Sequence, residues 1–158
     1  MEGSLFKKFL IGCMILLSQV VVFRHLNVFG AEPDMVLIFV LWLMAFSSRT
    51  SSILITAVFA LSQDILLDLW GLNLFAKVLS VMIFYTVIPK EDDLRPQTLQ
   101  VFLTILAVVF FNNVVMMGLS VFSESLTSGA RFMHILIGNT LFTTFLGTFL
   151  YILRNDKA

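Results

Sequence analysis

The sequence predicts an all-α, polytopic membrane protein, a single domain of six transmembrane helices over residues 1–158. Three observations predict it. The ten acidic and ten basic residues fall almost wholly in the gaps between apolar runs. From Gln97 to Ser123 no residue is charged, and a helix rising about 1.5 Å per residue over that stretch more than crosses a hydrocarbon core of roughly 30 Å. Hydrophobic residues make up 59% of the chain against 13% charged, with a mean hydropathy of +0.99, far from the composition of a soluble domain of this size. With no formal net charge and no basic face, a nucleic-acid partner is excluded.

The first span is expected from about Phe9 to Phe23, behind Lys7 and Lys8. It holds the single cysteine, Cys13, so no disulfide forms within the chain. Leu10-Ile11-Gly12-Cys13 imitates a lipoprotein cleavage box, but the apolar stretch before it, Phe9 to Ile11, is too short for a signal segment. Cys13 therefore reads as a small buried apolar residue. Asn27 to Pro33 breaks the helix, and the second span runs from Asp34 to Phe46; proline suits a first helical turn, and Asp34 suits the positive end of the helix dipole. The polar turn Ser47 to Ser52 supplies an N-cap for the third span, Ser51 to about Asp68. The fourth covers Leu72 to Ile88 and ends at the hydrophilic loop Pro89 to Pro96. The fifth covers Gln97 to Phe122 and, after the connection Ser123 to Arg131, the sixth covers Phe132 to Leu153. Snorkelling Lys7, Lys8, Arg24 and Arg49, or local bilayer thinning, accommodates the shorter spans.

Six spans put both termini on one side. Lys7, Lys8, Arg49, Lys90, Arg95, Arg154 and Lys157 share that side, against Arg24, Lys77 and Arg131 opposite. The positive-inside rule then places both termini in the cytoplasm.

Polar residues inside the spans are the candidate site. Asp64 and Asp68, four apart, share a face of the third helix, about 20 Å and about 26 Å from its start. A carboxylate at that depth needs a partner, and Lys77 in the fourth span is the expected partner of Asp68, either as a structural ion pair or as part of a binding site. Catalysis is not expected. Two carboxylates four apart on one helix point the same way, whereas an aspartyl dyad converges from different helices. Ser128-Gly129 lacks the preceding glycine of a rhomboid-like nucleophile turn, and His25 and His134 stand on separate loops without a metal-ligand cluster. Asn112, Asn113 and Asn139 are amides that must find partners in lipid, most simply between helices. The sixth span carries a stripe, Asn139, Thr143, Gly147 and Tyr151, with Thr140, Thr144 and Thr148 beside it. That face should pack on protein, leaving Leu141, Phe145, Phe149 and Ile152 for lipid.

Three segments carry a family likeness: Gly30-Ala31-Glu32-Pro33-Asp34-Met35 before the second span, Asp68-Leu69-Trp70-Gly71-Leu72-Asn73-Leu74-Phe75-Ala76-Lys77 across the third and fourth, and Asn139 with Arg154 in the sixth. Over essentially its whole length the chain resembles the bacterial rod shape-determining protein MreD family. Phe75 departs from the pattern where a second glycine is common, and Thr144 where a proline often follows the asparagine. The resemblance implies an inner-membrane subunit of the elongation complex that organises peptidoglycan synthesis, bound to the single-pass protein MreC and working with MreB and the RodA–transpeptidase pair. It also implies a fold similar to the substrate-binding subunit of energy-coupling-factor transporters, with six helices around an outward pocket. The expected partner- or ligand-binding residues are Pro33, Asp34, Asp64, Asp68, Gly71, Lys77, Asn113 and Asn139, with no catalytic residue, metal or cofactor. Two readings stay open. A scaffold would use the pocket around Asp68, Lys77 and Asn139 to grip a partner helix or periplasmic segment, and a transporter subunit would hold a small solute or lipid head group there.

Overall fold

The computed structural model describes residues 2–23, 32–90, 97–122 and 129–155, with side chains over 6–21, 32–90, 97–121 and 136–154. Every regular element among them is helical: α1 (Glu2–Ser18), continued by one π-helical turn (Gln19–Phe23), α2 (Met35–Phe46), α3 (Arg49–Leu67), α4 (Leu72–Phe84), α5 (Thr98–Phe122) and α6 (Gly129–Asn155). The helices occupy the expected segments, with boundaries shifted by up to three residues except at two places. α1 begins ahead of Lys7 and Lys8 instead of behind them. α4 stops at Phe84, short of Ile88, and continues as turns in which the Val87 and Ile88 N–H groups share the Phe84 carbonyl. His25 and His134, Ser128, Arg24, Arg95, Arg131 and Lys157 carry side chains outside the described set.

Among the described residues three helices are long and apolar enough to cross a membrane: Arg49–Leu67, Thr98–Val121 and Leu136–Arg154. α2 and α4 are apolar but shorter. The reason α2 can be short is its position. Its 12 residues, MVLIFVLWLMAF, are apolar on every side, the pattern of a helix buried all round rather than of a surface helix. α2 touches α1, α3, α4 and α6 directly, while contacts of α1 with α3, α3 with α4, α4 with α5 and α5 with α6 close an arc around it.

Two cores share this helix. On one side Leu37, Val40, Leu41 and Met44 pack with Val81 of α4 and Val101, Ile105, Val108 and Val109 of α5. On the other, Val36, Phe39 and Leu43 pack with Leu16 of α1 and Phe59 of α3. The Phe39 and Phe59 rings meet edge to face at 5.4 Å, a geometry their quadrupoles favour. Gly12 lets α1 come close: a Cβ there would collide with the Phe59 ring and lie 2.8 Å from that of Phe39.

Burial is inverted relative to a water-soluble bundle. Leu54, Val58, Leu61 and Ile65 of α3 and Phe145, Phe149 and Ile152 of α6 face outward, while Ser52, Thr56, Gln63, Asn73, Lys77, Ser80, Asn112, Thr140, Thr143, Thr144 and Thr148 are buried. An apolar exterior over a partly polar interior is the distribution lipid imposes, since polar groups there must be satisfied against protein.

Candidate functional site

The polar interior is densest where the chain enters α2. Glu32, Pro33 and Asp34 lie ahead of the helix, so the N–H groups of Glu32 and Asp34 and the Pro33 carbonyl have no helical partners and must find others. Side chains of distant helices supply them. Asn139 Oδ1 accepts from Glu32 N–H at 2.9 Å, and Thr143 Oγ1 accepts from Asp34 N–H at 3.0 Å. These acceptors sit one turn apart on α6, hence on one face. From α1, Gln19 Nε2 donates to the Pro33 carbonyl at 3.0 Å while its Oε1 accepts from Met35 N–H at 2.8 Å. Gln19 opens the π-helical turn, an irregularity that commonly marks a site where a helix serves something besides its own ladder.

Asp34 divides its carboxylate between two tasks. Oδ1 accepts from Leu37 N–H at 2.9 Å and so caps α2, filling a need every helix start has. Oδ2 pairs with Lys77 Nζ at 2.7 Å, the lysine fully buried and the carboxylate 19% exposed. Lys77 also donates to Asn73 Oδ1 at 2.6 Å, one turn back on α4. Asn73 in turn ties into α3, because the Asp64 oxygens accept from the backbone N–H groups of Asn73 at 3.0 Å and Leu74 at 2.8 Å. The N-cap residue of α4 is Gly71, which has no side chain to cap with. Asp64, buried on the neighbouring helix, caps α4 in its place, and the helix dipole favours a carboxylate there.

Two expectations are corrected here. Lys77 pairs with Asp34 and not with Asp68. Asp68 is the C-cap of α3 in the left-handed conformation, φ 57°, and is exposed, whereas Asp64 is buried. Among the described residues Asp68 does not join Lys77 and Asn139 in the expected pocket, since Lys77 is buried against Asp34 and Asn139 is engaged by Glu32. Trp70 at φ 48° and Gly71 at φ 87° complete the same turn. Only Gly71 adopts that conformation without steric cost. Trp70 is 92% exposed, so no packing compensates its strain within the described residues.

Asn113 Nδ2 donates to Thr140 Oγ1 at 3.0 Å, joining α5 to α6. Asn112 is fully buried, and neither of its side-chain polar atoms has a hydrogen-bond partner among the described residues. Of the expected site residues, Pro33, Asp34, Asp64, Lys77 and Asn139 thus belong to one connected layer, Asn113 to a separate α5–α6 contact, and Asp68 and Gly71 to the α3–α4 turn. Gln19 and Asn73 are members of the layer that the sequence reading passed over. A lone glutamine inside an apolar run has no spacing pattern to betray it.

The other end of α2 is held by cations. Lys8 Nζ donates to the Phe46 carbonyl and to Ser47 Oγ, both at 2.9 Å, and Lys90 Nζ donates to the Met44 carbonyl at 2.6 Å. Tyr85 donates its hydroxyl to the Ser47 carbonyl at 2.8 Å while Lys90 lies 3.3 Å over its ring. Arg154 covers the Phe46 ring at 4.1 Å. Positive charge on the open carbonyls of a helix C-terminus is the favourable arrangement.

No protein-family model, no curated protein and no solved structure matches this chain.

Proposed function

We propose that the protein is a non-enzymatic, multi-pass scaffold subunit of the bacterial inner membrane, with six spans and cytoplasmic termini, that serves the cell-elongation machinery by binding a single-pass partner of the MreC type. The observation that carries this reading is the division of labour among the polar residues. Asp34, Asp64, Lys77, Gln19 and Asn139 are spent on each other and on backbone ends, which supports a structural role for them. The Asp68–Gly71 turn is left over. It presents an exposed carboxylate beside a tryptophan held outward at a strained φ, and backbone strain retained without packing is a mark of function. A lone tryptophan of this kind is a strong anchor for a protein partner.

The test is co-purification after mild detergent extraction. A bitopic protein should come with the wild-type chain, Asp68→Ala and Trp70→Ala should weaken that complex with protein levels near normal, and depletion should round a rod-shaped cell. Recovery of a stoichiometric small molecule, with no bitopic partner and no shape defect, would overturn the scaffold in favour of a solute-binding transporter subunit.

A further inference from the structure

An apolar groove of about 510 Å³ opens on the outside of the bundle between α3 and α4. Ala57 of α3 and Leu74, Val78 and Leu79 of α4 line its length, and Gly71 and Met82 mark its two ends along α4. The 11 steps from Gly71 to Met82 rise about 16 Å, close to half of a roughly 30 Å hydrocarbon core. That length suffices for one acyl chain. At the Gly71 end the groove stands open, since a Cβ on Gly71 would meet nothing within 4 Å. At the other end stands a charge: Arg49 donates through one guanidinium nitrogen to the Met82 carbonyl at 3.0 Å. The remaining donors of its fork have no protein partner among the described residues, and the residue is exposed.

We infer that this groove is a binding site for an anionic phospholipid, one acyl chain lying along Ala57, Leu74, Val78 and Leu79 with the phosphate on Arg49. The groove supplies apolar contact over the length of an acyl chain, and the arginine fork matches phosphate geometry at the level where a headgroup lies. The exposed apolar stripe of α3, Leu54, Val58 and Leu61, places the groove in the lipid-facing belt, where the bilayer supplies this occupant at high concentration. The inference rests on membrane embedding and is independent of the scaffold reading, because its test uses no protein partner.

Phosphatidylglycerol with a photoreactive acyl chain, incorporated in phosphatidylcholine vesicles with the purified full chain, should form adducts at Leu74, Val78 and Leu79 several-fold more than at Phe145 and Phe149 on the α6 exterior. Unlabelled phosphatidylglycerol should compete about fivefold better than phosphatidylcholine, and Arg49→Gln should abolish that preference. Uniform labelling of all outward faces, or equal competition by both lipids in the wild type, would overturn the site. So would protection of the groove accompanied by cross-linking of a Val78→Cys chain, in a Cys13→Ser background, to a second copy or to a bitopic protein.

Discussion

At its Asp34 end α2 is fastened by groups that are buried and have few alternatives; at its Ser47 end it is fastened by cations on long stems that reach in from α1, α6 and the segment after α4. The contrast is one of replaceability. At the first end Lys77 is fully buried, and Asp34, Asn73 and Asp64 each depend on a neighbour, so removing one member strands another in a low-dielectric interior. At the second end Lys8 and Lys90 are half-buried and Arg154 is exposed, so water and headgroups stand ready to take over the carbonyls they leave. One end sets position, and the other tolerates error.

The sharpest way to break this contrast is Lys77→Met. It leaves the Asp34 carboxylate unpaired and should cost about 3–5 kcal/mol, read as a large drop in the thermal unfolding midpoint in a fixed detergent. Adding Asp34→Asn should recover much of the loss, because a missing pair is cheaper than half a pair. Strict additivity of the two changes would remove the pair from the account. At the opposite end Lys8→Met and Lys90→Met should each cost about 0.5 kcal/mol. A loss there as large as that of Lys77→Met would erase the distinction. Smallest of all should be the α3–α4 turn, which belongs to neither end: Asp68→Ala should stay within about 0.5 kcal/mol of wild type. Trp70→Gly should match wild type or exceed it by up to about 1 kcal/mol, since glycine relieves the positive φ.

How far the sequence disclosed all this depends on which physical rule governs each feature. Helix positions were legible because prolines, serines and charges punctuate the apolar runs, and the buried face of α6 because Thr140, Thr144 and Thr148 recur every four residues. Asp34 was legible as a helix start for the same local reason. The partner of Lys77 was not. Asp68 is the nearer carboxylate in sequence, but it lies exposed in a turn with left-handed backbone at Asp68 and Trp70, and Asp34, which caps another helix, is the residue that meets Lys77. Nor could a count of apolar residues tell that α2 is the hub of the bundle, since a helix enclosed by protein and one enclosed by lipid read alike. The expectation of six membrane crossings meets three helices of crossing length here; the remaining crossings belong to the proposed topology.

The bonds from Glu32 to Asn139 and from Asp34 to Thr143 join residues 107 and 109 positions apart. On a growing chain made at about 5–20 residues per second, the entry to α2 is synthesised on the order of ten seconds before the side chains that fasten it. For that interval the backbone N–H groups of Glu32 and Asp34 have no α6 to satisfy them, and α2 waits as an apolar hairpin with α1 and α3. The last helix therefore acts as the clasp of the assembly: a chain that stalls before α6 holds every hydrophobic element of the central packing yet leaves its hub unlatched, open to whatever quality control recognises bare backbone in a membrane.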